Sequence, residues 1–216
     1  GLIRGKKTAY YELDDNLHKG KNTQYYDVDL LYIVSKENLP FYPSYTKVLP
    51  VAMEPSIHYH WLFPESFDMV FLGGGGDNES YAYRKQVLEA MRSKFSMLEG
   101  QYPPQDYPKK MSQAKIRLNI MPKIGDNPPL IITRFYESMG IGFMMNDYHS
   151  SLDEIATNGI HYVGFTSIDD AKEKAKFYLE NDWLRHQIGE AGKRLVLEKH
   201  TWKHRLLTIL EDYEKL

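Results

Sequence analysis

Short apolar segments alternate with amphipathic segments from about residue 66 onward, and this alternation restricts the fold more than any other feature of the chain. Apolar runs of strand length stand at 67–72, 118–121, 143–147 and 161–165, and segments with helical spacing follow them. A further strand is expected within "KFSMLEG", at 94–100. Buried strands separated by helices are typical of parallel βαβ units. The sequence therefore predicts an α/β domain with a parallel sheet.

The first sixty residues follow another pattern. "KKTAYYELDD" at 6–15 and "YDVDLLYIVS" at 26–35 have the composition of strands, "YTKVLPVAM" is a third candidate, and little helix is evident. Five of the 11 prolines lie between Pro40 and Pro64, and proline favours an extended backbone, so an extended linker is predicted over 50–66. We expect a small, truncated N-terminal α/β portion at 1–61 and the parallel-sheet domain at 62–216.

Composition excludes several classes of protein. With 42% hydrophobic and 26% charged residues the chain is of ordinary globular type, and no window approaches the roughly 18 apolar residues of a membrane span. The 27 basic and 29 acidic residues create no bulk positive field that would favour nucleic acid. The absence of cysteine excludes disulfides and fits a reducing compartment. A cytoplasmic location is expected.

A run of four glycines, "FLGGGGDN" at 71–78, follows the first strand of the parallel-sheet domain and precedes a helix. Glycine lets the backbone approach a phosphate closely, and a helix N-terminus offers free N–H groups and a positive dipole end. The pattern indicates a phosphate-binding loop at Gly73, Gly74 and Gly75. Arg84, further along the next helix, could reach the same anion. The alternative for the loop is a flexible turn, and for Arg84 a surface position.

The stretch "TRFYE" at 133–137 places a cation and an acid one turn apart at the start of a helix. Arg134 in the first turn suits a diphosphate, and Glu137 can accept two hydrogen bonds from a ribose, as acidic residues do in nucleotide-binding α/β folds. The alternative is an ordinary surface ion pair between positions i and i+3. The apolar flanks favour the nucleotide site.

Three weaker patterns also bear on function. Asp27 and Asp29 match the Asp-x-Asp pattern of metal-dependent glycosyl transfer, although a solvated strand edge is favoured. His58 and His60 could ligate a metal, but no third ligand is evident nearby. The basic stretch Lys193–Arg205 is more typical of a solvated helix face than of a nucleic-acid footprint.

Taken in order, these stretches resemble the C-terminal half of group-1 GT-B glycosyltransferases, in particular the bacterial spore-maturation branch. That branch has a strand and glycine loop near an arginine, then a serine, Leu-Asn, Arg-Phe-x-Glu and His-Thr-aromatic-x-His-Arg. The matching positions are Ser112, Leu118-Asn119, Arg134–Glu137 and His200–Arg205. The likeness covers about residues 66–210.

The resemblance implies a Rossmann-like domain that binds a nucleotide-sugar donor, with a uridine nucleotide expected and neither a metal nor another cofactor required. Glu137 would hold the donor ribose, while the glycine loop, Arg84 and Arg134 would face the diphosphate. The implied donor-binding residues are Gly73, Gly74, Gly75, Arg84, Asn119, Arg134, Phe135 and Glu137.

The resemblance also implies that residues 1–61 belong to the acceptor side, where a base would activate the acceptor. Asp14, Asp15 and His18 are the candidates for this base. Retaining members of the wider group carry a second acid eight positions before the glutamate. That position is Pro129 here, so the stereochemistry stays open.

The acceptor, whether a glycan, a protein or a modified nucleic acid, also stays open, and a homo-oligomer is compatible with the chain. The alternatives are a phage-type transferase acting on DNA bases, a non-catalytic nucleotide-binding module and a metal-dependent GT-A enzyme that uses Asp27 and Asp29.

Overall fold

A computed structural model of the chain describes residues 7–13, 20–21, 26–74, 81–122 and 131–216. The chain divides into two compact units, one formed by Gly1–Ala52 with Trp202–Leu216 and the other by Met53–Thr201. This division falls about ten residues before the boundary expected near residue 62. It also assigns the C-terminal segment to the first unit, whereas the sequence analysis placed it in the parallel-sheet domain.

The first unit contains a small parallel sheet. Its strands are β1 (Ala9–Glu12), β2 (Leu30–Ile33) and β3 (Lys47–Val48), arranged in that order, and a 3₁₀ helix spans Lys36–Phe41. All four residues of β2 are buried, as expected for the central strand of the three. β2 is shorter than the apolar run at 26–35, because Asp27, Asp29 and Ser35 at its two ends lie outside the strand.

The second unit is built on a five-stranded parallel sheet, which confirms the predicted α/β fold class. The strands are β4 (Phe67–Leu72), β5 (Met97–Gly100), β6 (Ala114–Asn119), β7 (Met144–Asp147) and β8 (Val163–Phe165). Their order in the sheet is β5-β4-β6-β7-β8, and every pairing is parallel. β6 begins four residues before the predicted strand at 118–121, because Lys115 and Arg117 alternate with apolar residues and belong to the strand.

In the described part of this unit, three helices connect β4 to β5, β5 to β6 and β6 to β7, and two more follow β8. They are α1 (Ala82–Arg92), α2 (Tyr107–Met111), α3 (Thr133–Ile141), α4 (Ile168–Glu180) and α5 (Asp182–Lys199). The predicted helix after β7 is a short 3₁₀ helix, Ser150–Glu154. Apolar residues of β4, β6, β7 and β8 form a core cluster together with residues of α1, α4 and α5.

The last helix, α6 (Trp202–Glu214), packs within the first unit. The hydroxyl of Tyr32 donates to Asp212 at 2.8 Å, and Ile209 packs against a buried cluster that contains Tyr32 and Leu49. Arg205 is 8% exposed, and its guanidinium donates to the carbonyls of Pro50 and Val51. The basic stretch that ends at Arg205 is therefore not a uniformly solvated face.

The strand order defines where a ligand would be expected. β4 lies between β5 and β6, so the chain moves from β4 to its neighbour on one side, β5, and then crosses to β6 on the other side. In open parallel sheets, ligands bind outside the carboxyl ends of the strands at such a switch point. The relevant edge here contains Gly73 and Gly74 after β4, and Ile120 and Met121 after β6.

Candidate functional site

Two of the predicted loop glycines lie directly after β4 at this edge. The backbone N–H of Gly73 donates to the carbonyl of Gly100 at 3.1 Å, which continues the pairing of β4 with β5. A Cβ atom on Gly73 would lie 2.5 Å from Nη2 of Arg134, so the guanidinium occupies the space that a side chain would need. Gly75, the third predicted glycine, is outside the described residues.

A cavity of about 460 Å³ opens beside this loop. It is lined by residues that include Phe71, Gly73, Tyr81, Arg84 and Gly100. Its size is within the range of small-molecule sites. The carboxyl ends of β4 and β5 therefore border a space that could admit part of a ligand.

Arg84 bridges the ends of β4 and β6. It is 4% exposed, and its guanidinium donates to the carbonyl of Gly74 at 3.0 Å and to that of Ile120 at 2.8 Å. Burial, together with the nearby charge of Arg134, lowers the pKa of Arg84 to about 10, so it remains charged at neutral pH. Arg84 thus lies beside the glycine loop, where two of its donors hold the two loops together, while its buried Nε finds no partner among the described residues.

Arg134 lies in the first turn of α3 and reaches the same edge. Its guanidinium stands over the ring of Phe71 at 5.1 Å from the centroid. Its Nη1 is buried and finds no hydrogen-bond partner among the described residues. Ile132, which precedes the helix, cannot cap it with its side chain. A cation with an unused donor is therefore held against the glycine backbone.

Glu137 lies one turn further along α3 and is largely buried. Its side chain is 15% exposed, and Oε1 lies 3.3 Å from Nε2 of His58. Burial raises the pKa of Glu137, while the charges of His58 and Arg134 and the neighbouring Tyr107 hydroxyl oppose this rise. Within the described residues Glu137 pairs with His58 and not with Arg134, so the alternative of a simple surface ion pair along the helix is not what the structure contains.

His58 is the residue of this cluster that the sequence analysis did not assign to the site. Its ring packs edge-on against Tyr107 at 6.0 Å, and its backbone N–H donates to the carbonyl of Glu54 at 2.8 Å. No spacing in the sequence connects His58 with α3, because the two are brought together only by tertiary packing. The extended linker predicted over 50–66 contains a turn at 55–57, which brings His58 back to the carbonyl of Glu54.

Asn119 and Phe135 are placed in the core. Asn119 is 0% exposed, and its amide donates to Oδ1 of Asn146 at 2.6 Å, which links β6 to β7. Phe135 is also 0% exposed and packs edge-on against Tyr136 and Tyr162. Both side chains are buried, because the helical rotation and the strand pleat direct them inward.

The remaining candidates divide into two groups. Asp14, Asp15 and His18 lie outside the described residues. Asp29 accepts hydrogen bonds from the backbone and hydroxyl of Thr8 and precedes β2, so it acts at the amino end of a strand. Within the described ranges, no group of three or more histidine, aspartate or glutamate side chains is arranged to hold a metal ion.

The described helices include none with the length and apolarity needed to cross a membrane.

Solved structures share this architecture. The chain matches sucrose-phosphate synthase from Thermosynechococcus elongatus with a TM-score of 0.64 at 11% identity, covering 90% of this chain and 60% of that one. HepE from Anabaena, in complex with UDP and glucose, matches with a TM-score of 0.69 at 10% identity and coverages of 98% and 72%. TarM from S. aureus, in complex with Fondaparinux, α-GlcNAc-glycerol and UDP, matches with a TM-score of 0.64 at 13% identity. The match covers 89% of this chain and 46% of that one.

These likenesses define the class of fold as GT-B. The chain belongs to the glycosyl transferase-like family, whose model matches residues 75–211. The matched range includes α1 and α3, which carry Arg84, Arg134 and Glu137. No curated protein matches the chain by sequence. The chain spans 60% of the length of the sucrose-phosphate synthase and 46% of that of TarM.

Proposed function

We propose that this chain is the donor-binding part of a glycosyltransferase that moves a sugar from a nucleoside diphosphate to an acceptor hydroxyl. One observation carries the proposal. The guanidinium of Arg134, with an unused buried donor, lies against the backbone of Gly73 at the switch point of the sheet, and the buried carboxylate of Glu137 follows one turn later. Family membership and the GT-B fold support the same class of reaction.

The roles of the residues follow from their chemistry. A carboxylate accepts hydrogen bonds, so Glu137 would bind the two hydroxyls of a ribose. The Gly74 backbone and the guanidinium of Arg134 would contact the diphosphate, since arginine pairs with phosphate oxygens in a planar geometry. Arg84 would add positive charge near the diphosphate, while its hydrogen bonds hold the loops that follow β4 and β6. HepE and TarM were both solved with UDP, which favours a uridine nucleotide as the donor.

The transfer itself needs a base and stabilisation of the leaving group. In an inverting reaction the base removes the proton of the acceptor hydroxyl, whose oxygen bonds to the anomeric carbon while the bond to the diphosphate breaks. Arg134 and the N-terminus of α3 would offset the charge that develops on the departing diphosphate. We propose that this makes a divalent metal unnecessary. Asp14, Asp15 and His18 stay the candidate bases.

Calorimetric titration of uridine diphosphate into the protein tests the donor site. We expect Glu137→Ala to weaken binding by about tenfold or more, because a hydrogen bond to a charged group contributes about 1.5–3 kcal/mol. Glu173→Ala, an exposed glutamate of α4, is the control and should bind as the wild type does. Equal affinities for all three proteins would refute the assignment of Glu137.

A second measurement addresses the reaction. Donor turnover, followed as release of nucleoside diphosphate with and without candidate acceptors, should be unaffected by a chelator. Loss of turnover in chelator would contradict the metal-free reaction. Tight donor binding without any hydrolysis or transfer would favour the non-catalytic nucleotide-binding module instead.

A further inference from the structure

A second cavity lies at the opposite edge of the same sheet. It has a volume of about 300 Å³ and is bordered by β6, by the turn Ile141–Phe143 that leads into β7, and by α5. The donor site proposed above lies beyond the carboxyl end of β6, whereas this cavity lies at the amino ends of β6 and β7. Six strand residues extend over about 20 Å, so the two sites are separate.

Arg117 forms a buried wall of this cavity. It is 2% exposed; its Nε donates to the carbonyl of Met111 at 3.0 Å, and its Nη2 is buried without a hydrogen-bond partner among the described residues. The guanidinium lies against Gly142, where a Cβ atom would be only 2.7 Å from Nη1. Burial lowers the pKa of Arg117 to about 10, so the group remains a cation at neutral pH.

The charges around the cavity are incompletely balanced. Arg185 is neutralised by Glu65 at 3.5 Å and by Asp182 at 2.5 Å, and Lys193 lies 3.7 Å from Glu190. Arg117 and Lys115 have no carboxylate within ion-pair distance among the residues that the structure describes. Glu65 attracts Arg117, but the lining carries two arginines and two lysines against two glutamates, so its charge is net positive, and Arg117 keeps a buried donor unused. A buried charge in this state is costly unless it is paired.

We propose that this cavity binds a small oxyanion of the phosphate or phosphate-monoester class between Arg117 and Lys115. The planar guanidinium presents donors in the geometry that phosphate oxygens accept, and lysine adds a mobile point charge. The volume is at the lower end of the range for ligand pockets and leaves room for a small substituent on the phosphate. The proposal is independent of the proposed function, because no residue of the donor site borders this cavity.

Two probes test the site: inorganic phosphate and glycerol phosphate, each titrated calorimetrically into the whole chain at constant ionic strength. The double variant Lys115→Gln/Lys193→Gln should weaken binding by about tenfold or more. Both lysines are partly exposed, so the variant is expected to fold, which its thermal midpoint verifies. Lys172→Gln is the control for the loss of one lysine charge elsewhere on the surface. The Lys172 side chain is 32% exposed and that of Lys193 36%, and each forms an i,i+3 pair.

The outcomes separate the alternatives. Tighter binding of glycerol phosphate than of phosphate assigns the site to a monoester, and equal binding assigns it to the free ion. The proposal is overturned if neither probe binds, or if Lys172→Gln weakens binding as much as the double variant does. It is also overturned if Arg134→Gln abolishes the signal while the double variant retains it, because the anion would then occupy the edge that carries Gly73.

Discussion

Arg84, Arg134 and Glu137 differ in how much each side chain contributes to the stability of the fold. Arg84 donates to two backbone carbonyls and stabilises the edge of the sheet. Each of the two arginines keeps one buried donor unused, but Arg134 makes no comparable pair of bonds to backbone carbonyls among the described residues, and Glu137 is buried with a raised pKa. Perturbed groups of this kind collect at functional sites, where binding and not stability determines the residue.

The two arginines should therefore respond differently to the same substitution. Arg84→Gln should destabilise the protein by about 1–3 kcal/mol, because two buried carbonyls lose their donors. Arg134→Gln should change stability less and reduce nucleotide binding more. Urea denaturation and calorimetry measure the two effects. The reverse ranking, with Arg134 more important for stability, would contradict the roles assigned here.

The raised pKa of Glu137 predicts that the stability of the protein depends on pH. Because its pKa is raised in the folded state, the folded protein binds this proton more tightly than the unfolded chain, whose glutamates titrate near pH 4.3. The contribution of Glu137 to stability is present below about pH 4.3 and is lost as pH rises through the folded pKa. Glu137→Gln should flatten this decline and raise the thermal midpoint at pH 8.

Scanning calorimetry at several pH values checks this expectation. His58→Gln serves as the control, because removal of the imidazole leaves Glu137 without a favourable partner and should make the decline steeper. A wild-type protein that gains stability over this pH interval relative to Glu137→Gln would show that the pKa of the carboxyl is not raised.

At the scale of elements, the contact between α3 and α5 determines where α3 presents its functional face. Gly140 of α3 lies against Met53 and Val196, and Gly192 of α5 lies against the carbonyl of His161 and the side chain of Met139. Small residues at both positions let the helices approach closely. The position of Arg134 and Glu137 at the sheet edge depends on this packing.

The two glycines should not tolerate alanine equally. A Cβ on Gly192 would lie 2.3 Å from the backbone carbonyl of His161, which cannot move without shifting the chain. A Cβ on Gly140 would meet the flexible end of Met53 at 2.2 Å, which can adopt another rotamer. Gly192→Ala should destabilise by about 1–3 kcal/mol and Gly140→Ala by less. Urea midpoints compare them, and equal losses would contradict this account.

At the scale of the whole molecule, the C-terminal segment Trp202–Leu216 belongs to the first unit together with Gly1–Ala52. Asp212 of α6 accepts from Tyr32 at 2.8 Å and pairs with Lys47 at 2.7 Å. The first unit therefore depends on residues from both ends of the chain. A small three-stranded sheet has little core of its own, and α6 supplies additional apolar contact through Ile209.

Tyr32→Phe tests this contribution. It removes the hydroxyl that donates to Asp212 from a residue 1% exposed, and we expect a loss of about 1–3 kcal/mol. Tyr213→Phe is the control on α6 itself, because Tyr213 is 41% exposed and should tolerate the change. The loss would appear in urea denaturation followed by tyrosine fluorescence. Similar stability of both variants would show that the Tyr32–Asp212 bond is not important for the first unit.

The sequence by itself determined the parallel α/β class and the local patterns at Gly73, Arg134 and Glu137, because strand and helix periodicities and glycine runs are properties of neighbouring residues. Only the tertiary structure decided that His58 pairs with Glu137 and that Arg117 borders a second cavity. The same holds for the burial of Phe135 in the core and for the return of α6 to the first unit. These features depend on which distant surfaces pack together, and burial of apolar area is non-directional, so local sequence does not specify its partner.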